Sequence, residues 1–132
     1  MNQLDALLAF NTQALNVRAY RGQLLASNIA NADTPGYQAR DINFAQALNQ
    51  AMENPQTGAA LAVSSPRHVQ PQGGAPVAAP LLYRTVSQPS VDGNTVDLDV
   101  ERAQFADNAV HFEANLMAVN GQIKTMMAAL QG

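Results

Sequence analysis

Few residues of this chain are of types that support catalysis or metal binding. It contains two histidines, His68 and His111, and no cysteine. His111 follows Asp107 by one helical turn, which would supply at most half of a metal site, and no further ligand is near by spacing. An exposed charge pair is the more common meaning of such a spacing. The sequence therefore predicts no metal site and no cofactor.

The acidic and nucleophilic side chains do not indicate an enzyme either. Asp97 and Asp99 are two nearby carboxylates, but general acid and base catalysis would require a pocket that raises one pKa. The positive end of a helix dipole explains their position more simply. Serines and a histidine occur together in 64–68, and glycines at 73–74, but neither segment has the rigid scaffold that catalysis or phosphate binding needs. We expect a non-enzymatic protein.

Charge and hydropathy exclude two classes of partner. The chain has seven basic and ten acidic residues, a net charge of −3, and no basic cluster, so no nucleic-acid binding is expected. No apolar run approaches the roughly 20 residues that cross a bilayer, and no cleaved signal peptide is predicted. Charged residues make up 13% of the chain, about half the usual share. Such a composition suits surfaces that pack against copies or partners.

The last third of the chain, 97–132, has the most regular pattern and is predicted to be a long helix. Its apolar residues recur at alternating steps of four and three, as on one side of a coiled-coil helix. We call this set the C-terminal stripe: Phe105, Ala109, Phe112, Leu116, Val119, Ile123, Met126 and Leu130. Val110 and Met117 widen it, which implies more than one neighbour. Gln104 and His111 are expected on the opposite, outward side.

A second apolar repeat runs through the predicted N-terminal helix, Leu4 to Asn31. We call these residues the N-terminal stripe: Leu4, Leu8, Leu15, Leu25 and Ile29. Burying each such side chain stabilises by roughly 1.5 to 3 kcal/mol, and no other long segment offers a matching surface. The two ends of the chain are therefore expected to meet. A corner follows at 31–37, where Pro35 restricts the preceding residue and Gly36 can adopt positive φ.

The middle of the chain is less regular. Asn43 to Met52 reads as a short helix with a capping residue at Asn43. The segment from Pro55 to Pro89 holds every proline except Pro35 and reads as a loop. Two short strands are predicted within it, at Leu61–Val63 and Leu82–Val86, paired as a hairpin or added to a neighbour's sheet edge.

The resulting fold class is mostly α. Long N- and C-terminal helices pack as a coiled-coil-like pair, with a short helix and an irregular middle rich in proline and glycine that holds a small β-hairpin. The predicted organisation is an N-terminal helix and corner at 1–37, a short helix and loop region at 38–96, and a C-terminal helix at 97–132 that completes a discontinuous helical domain.

The run from Leu25 to Tyr37 resembles the N-terminal signature of bacterial flagellar rod and hook proteins. The residues that carry the resemblance are Ser27, Asn28, Ala30, Asn31, Thr34, Pro35, Gly36 and Tyr37. Segments 92–97, 101–102, 109–112 and 122–125 are similar to the proximal-rod branch of the flagellar basal-body rod family. The methionine-rich ending and the large inserted β domain of other branches are missing, which favours the proximal rod.

This resemblance implies a structural subunit of the flagellar basal body that assembles helically, transmits torque and lines the export channel. It also implies export by the flagellar type III apparatus and a place in the periplasmic rod. The implied partners are further copies, other rod proteins, and components of the MS ring and export gate. Phe44 and Leu48 match the spacing of a gate-recognition motif, and the buried face of the short helix explains them equally well. The alternative is a soluble helical adaptor or export chaperone that forms a closed oligomer.

Overall fold

The computed structural model describes residues 3–53, 79–85 and 90–131. The elements are α1 (Gln3–Ala30), β1 (Arg40–Ile42), α2 (Phe44–Glu53), β2 (Leu81–Tyr83) and α3 (Leu98–Gln131). Two long terminal helices pack together beside a short helix and a strand pair, so the predicted fold class is confirmed. The predicted strand at Leu61–Val63, His68 and most of the predicted loop lie outside the described residues, as does the side chain of Leu4.

Helices α1 and α3 run antiparallel, and side chains on α3 fix their register. Asn108 Nδ2 donates to the carbonyl oxygen of Arg18 at 2.9 Å. At 1.5 Å per residue along both helices, this contact places Ile123 level with Gln3. The segment 124–131 of α3 therefore continues past the first residue of α1.

Both long helices have side-chain caps at the corner. Asp97 Oδ1 accepts hydrogen bonds from the backbone N–H groups of Asp99 (3.1 Å) and Val100 (3.3 Å), as its predicted place at the helix start suggests. Asn94 is buried and its Nδ2 lies 2.8 to 2.9 Å from three carbonyl oxygens that follow α1, those of Asn31, Ala32 and Thr34. Asn94 thus holds the end of α1 against the start of α3.

Two glycines form the turns that meet at this corner. Gly36 has φ 70° and Gly93 has φ 76°, a backbone region that other residues rarely adopt. The N–H of Gly36 donates to the carbonyl oxygen of Asp92 at 2.9 Å, and the two turns pack directly on each other. The corner predicted around Gly36 and the turn at Gly93 therefore form one structure.

The short helix α2 and strand β1 pack against α1. Asn43 Oδ1 accepts from the N–H of Gln46 at 3.1 Å, so Asn43 caps α2 as its position predicts. The apolar core of the described residues lies between α1, α2 and β1. Its buried members are Ala14, Val17, Leu24, Ile42, Ala47 and Leu48.

The strand pair joins distant parts of the sequence. β1 and β2 are antiparallel, with Arg40 opposite Tyr83 and Ile42 opposite Leu81. β2 overlaps the strand predicted at Leu82–Val86, but its partner is Arg40–Ile42, which the sequence pattern did not identify. A strand of three residues that includes two charged ones shows no detectable alternation.

Candidate assembly surface and its supporting network

The residues that resemble the rod signature form the junction of the fold. Asn28 is 0% exposed, and its Nδ2 donates to the carbonyl oxygen of Arg40 (2.7 Å) and to Glu101 Oε2 (3.0 Å). Its Oδ1 accepts from the N–H of Arg40 at 3.0 Å. One amide side chain therefore connects α1, β1 and α3, and it pairs with Arg40 as a neighbouring strand would.

The other signature residues surround Asn28 at the corner. Tyr37 Oη lies 3.1 Å from Ser27 Oγ and donates to Asn28 Oδ1 at 3.3 Å, and Asn31 Nδ2 donates to the carbonyl oxygen of Ser27 at 2.8 Å. Ser27, Asn31 and Tyr37 are half-buried. Four other signature residues at the corner are exposed: Ala30, Thr34, Pro35 and Gly36. The signature thus specifies a corner, and its polar members are held by one another.

A network of charged side chains continues from Asn28 across the same junction. Arg21 donates twice to Asp41, at 2.9 and 3.0 Å, and once to Gln104 Oε1 at 2.8 Å. Arg84 donates to Asp41 at 2.9 Å, and its Nε lies 2.7 Å from Glu101 Oε1. That last contact is electrostatic, because its angle does not satisfy a hydrogen bond. The network ties α1, β1 and α3 to the residue that follows β2.

The network shifts the pKa of Asp41. Burial favours the neutral carboxyl, but hydrogen bonds from Arg21 and the N–H of Ile42, with the charges of Arg21 and Arg84, outweigh it and lower the pKa below the ordinary 3.8. The hydrogen bond to Asp41 raises the pKa of Arg21 against the effect of burial. Both shifts favour the charged pair in the folded chain.

We expect this pair to make stability fall at low pH. Since the pKa of Asp41 is lowered on folding, its contribution is complete above about pH 4 and is lost as the pH falls through the folded pKa. Thermal unfolding followed by circular dichroism between pH 6 and pH 2 should show a decline in Tm below about pH 4. Asp41→Asn should be less stable at pH 6 and decline less steeply. An equally steep decline in the variant would contradict this role.

The face of α3 that packs on α1 is mainly polar. Glu101 and Asn108 are buried there, and Gln104, Asn115 and Gln122 are half-buried. The prediction that Gln104 lies on the outward side is wrong, because Gln104 accepts a hydrogen bond from Arg21. The apolar residues of α3 are therefore rotated away from its main intramolecular contact.

This rotation leaves much of the C-terminal stripe uncovered. Phe112, Val119 and Met126 border the contact with α1 and are half-buried, whereas the outer members are exposed. The exposed members are Phe105, Ala109, Leu116, Ile123 and Leu130. In the N-terminal stripe Leu25 is buried, and Leu8, Leu15 and Ile29 are half-buried. The assembly role of both stripes stays a prediction.

A groove interrupts the apolar surface between the two helices. It has a volume of about 260 Å³ and opens where small residues face aromatic ones. Its lining includes Ala19, Gly22, Phe105, Ala109, Phe112 and Glu113. Leu8, Leu15, Gly22 and Ile29 are seven residues apart and so lie in one row along α1. The row lacks a side chain at Gly22, which is where the groove lies.

Two further predicted sites have structural explanations. Phe44 is half-buried with the guanidinium of Arg18 3.8 Å from its ring centroid, and Leu48 is part of the apolar core. The export role of this pair stays a prediction.

His111 Nε2 lies 3.6 Å from Asp107 Oδ1 on the exposed surface. Within the described ranges, no three His, Asp or Glu side chains are grouped as metal ligands.

Comparison with known proteins finds relatives over nearly the whole chain. Residues 8–38 match the family model described as Flagella basal body rod protein. Flagellar basal body rod protein FlgB of Escherichia coli (strain K12) is 52% identical over 134 residues, which cover 99% of this chain and 97% of that relative. The chain belongs to the FlgB family. FlgB of Salmonella typhimurium (strain LT2) is 50% identical over 135 residues, covering 100% of this chain and 98% of the relative.

Membership of the FlgB family confirms the resemblance found in the sequence. This FlgB-family chain is a structural rod protein of the flagellar basal body and is not an enzyme. None of the helices in the described residues is both long and apolar enough to span a membrane. The buried polar network joins the elements of the fold, and the outer members of the C-terminal stripe are exposed in the single chain.

Proposed function

We propose that this FlgB-family chain assembles with copies of itself and with other rod proteins through the exposed members of the C-terminal stripe. The main support for this proposal is the orientation of α3 about its own axis relative to α1. Its polar side contacts α1, and Phe105, Leu116, Ile123 and Leu130 face outward on the same helix. An apolar row of this length on a helical surface is typical of a protein contact. In this proposal 1–37 and 97–132 form one discontinuous rod domain.

The assembly is open and helical. Head-to-tail contacts between two different surfaces continue indefinitely when the rotation between copies does not close a ring. A rod built this way transmits torque along its length and lines the export channel. In our proposal the MS ring and export gate adjoin it, and the type III apparatus exports the chain to the periplasmic rod, with Phe44 and Leu48 available as recognition residues.

We predict that Ile123→Asp abolishes swimming. A carboxylate in a buried apolar contact loses its hydration without gaining a partner, which strongly disfavours assembly. The fold should survive, because Ile123 is exposed in the single chain. The measurement is swimming motility in cells whose only copy carries the variant, together with an immunoblot for exported subunit.

Ala118→Asp is the matched control. Ala118 is also exposed on α3, but it lies on the opposite side of the helix from the stripe. Ala118→Asp cells should swim normally. Normal swimming by Ile123→Asp cells would refute assembly through this stripe, whatever the control shows.

A further inference from the structure

Helix α3 contributes to two apolar surfaces of opposite shape. One is the groove that it forms with α1, which is concave. The other is formed by Val110 and Met117, which are 69% and 67% exposed, and we call it the ridge. At 100° per residue, the ridge lies roughly 80 to 100° around the helix from Ala109 in the groove. A copy of the chain therefore presents a recess on one side and a projection on another.

The groove has the size and lining to receive Met117 of the ridge. Its volume of about 260 Å³ exceeds the roughly 150 Å³ at which an apolar cavity can hold benzene. Methionine is unbranched and adapts to irregular apolar spaces, with favourable contacts to aromatic rings. Phe105 and Phe112 supply such rings in the lining of the groove.

Charged residues beside the two surfaces give the pairing a register. If Met117 of one copy sits level with Asn108 of another and the helices run parallel, Lys124 of the first is level with Asn115. That position is about 3 Å along the axis from Glu113, which borders the groove. Lys124 and Glu113 are both exposed, and parallel helices bring them to the same edge of the contact. Their opposite charges favour this alignment.

We propose that Met117, on the ridge of one copy, inserts into the groove of the next, with Lys124 beside Glu113. This inference rests on the proposed assembly of the rod and names the two surfaces that meet. Because the surfaces differ, the contact is heterologous and each copy is rotated and shifted relative to the last. The axial shift between neighbours is about nine residues of α3, or about 14 Å.

Cysteine cross-linking tests the pairing directly, since the chain has no cysteine. The double variant Glu113→Cys, Lys124→Cys keeps the ridge and groove intact. Within one helix its two positions are about 16 Å apart, beyond the roughly 7 Å Cα separation that a disulfide spans. Oxidised basal bodies from cells that carry this variant as their only copy should give a ladder of dimers, trimers and higher species on a non-reducing gel.

Two control variants identify the contact. Glu113→Cys, Thr125→Cys moves the second cysteine 100° around the same helix, to the other edge of the contact, and should give no ladder. Adding Ala109→Phe to the cross-linking pair fills the groove from an exposed position and should remove the ladder without loss of helix content. A ladder that survives Ala109→Phe would overturn the proposal.

Other outcomes separate this inference from the proposed function. Dimers without higher species would show a closed pair and would overturn it. If cells with the cross-linking variant swim normally under reducing conditions but their oxidised basal bodies give no cross-links, the ridge-and-groove pairing is also overturned. The proposed assembly through the C-terminal stripe would still stand in that case. A separate series without introduced cysteines changes only the two charges. Glu113→Lys and Lys124→Glu should each weaken copy-to-copy association by roughly fivefold at most, which corresponds to the interaction free energy of an exposed ion pair. The combined swap should restore it, and failure to restore would count against the pairing.

Discussion

Glu101→Ala is expected to lower the free energy of unfolding by about 3–5 kcal/mol, the usual cost of removing one partner from a buried ion pair. The side chain of Glu101 is 0% exposed and contacts Arg84 and Asn28. Its loss leaves the guanidinium of Arg84 without that charge and the amide of Asn28 without one acceptor. Thermal or urea unfolding of the purified chain, followed by circular dichroism, measures the effect.

The neighbouring Arg102 provides the comparison. Arg102 is exposed on α3, so Arg102→Ala should change the free energy of unfolding by no more than about 0.5 kcal/mol. The same small change in Glu101→Ala would mean that the network contributes nothing to the fold. Glu101→Gln, which keeps the shape and removes the charge, should fall between the two.

Asn28→Ala is expected to cost about 3 kcal/mol or more, since each buried polar group left without a partner costs roughly 1–3 kcal/mol. The substitution removes the hydrogen bonds to the backbone N–H and carbonyl of Arg40 and to Glu101. The edge of β1 then has no partner on α1. The same unfolding measurement applies, and swimming should be lost at temperatures where the variant is unfolded.

An exposed asparagine serves as the reference for this substitution. Asn49 lies on the exposed side of α2, and Asn49→Ala should be neutral or slightly stabilising because alanine has the higher helix propensity. If Asn28→Ala were as well tolerated as Asn49→Ala, the central role of Asn28 at the corner would be refuted.

The local features of this fold were predictable because their causes lie close together in sequence. Both long helices follow from apolar spacing, and Asn43 and Asp97 cap helices where their side chains can reach the nearby N–H groups. Gly36 adopts the positive φ that the corner requires. Each of these depends on residues within one or two turns.

The network at the junction was not predictable in the same way. Arg21 and Asp41 are 20 residues apart, Arg84 and Asp41 are 43 apart, and Asn28 and Glu101 are 73 apart. No spacing rule connects them. Glu101 lies in the first turn of α3, where the helix dipole favours a negative charge, but nothing in its local sequence indicates its burial beside Arg84.

The sequence also could not predict which side of α3 packs against α1. Apolar periodicity identifies a surface that avoids water, and the partner is then assumed to be the nearest helix. Here that helix takes the polar side instead, where Gln104 and Asn108 bind α1. A regular apolar stripe in a protein that assembles therefore indicates burial without saying in which molecule.

The polar contact between α1 and α3 also bears on how a rod resists load. Apolar contacts are not directional, so apolar side chains can shift along one another at a small cost in free energy. Hydrogen bonds are directional and are satisfied at only one alignment of the two helices. Moving α3 by a single turn would separate Asn108 from Arg18, Gln104 from Arg21 and Glu101 from Asn28 at once. Under load, α1 and α3 of each subunit should therefore move as one rigid body. Any elastic deformation of the rod would then occur at the interfaces between subunits.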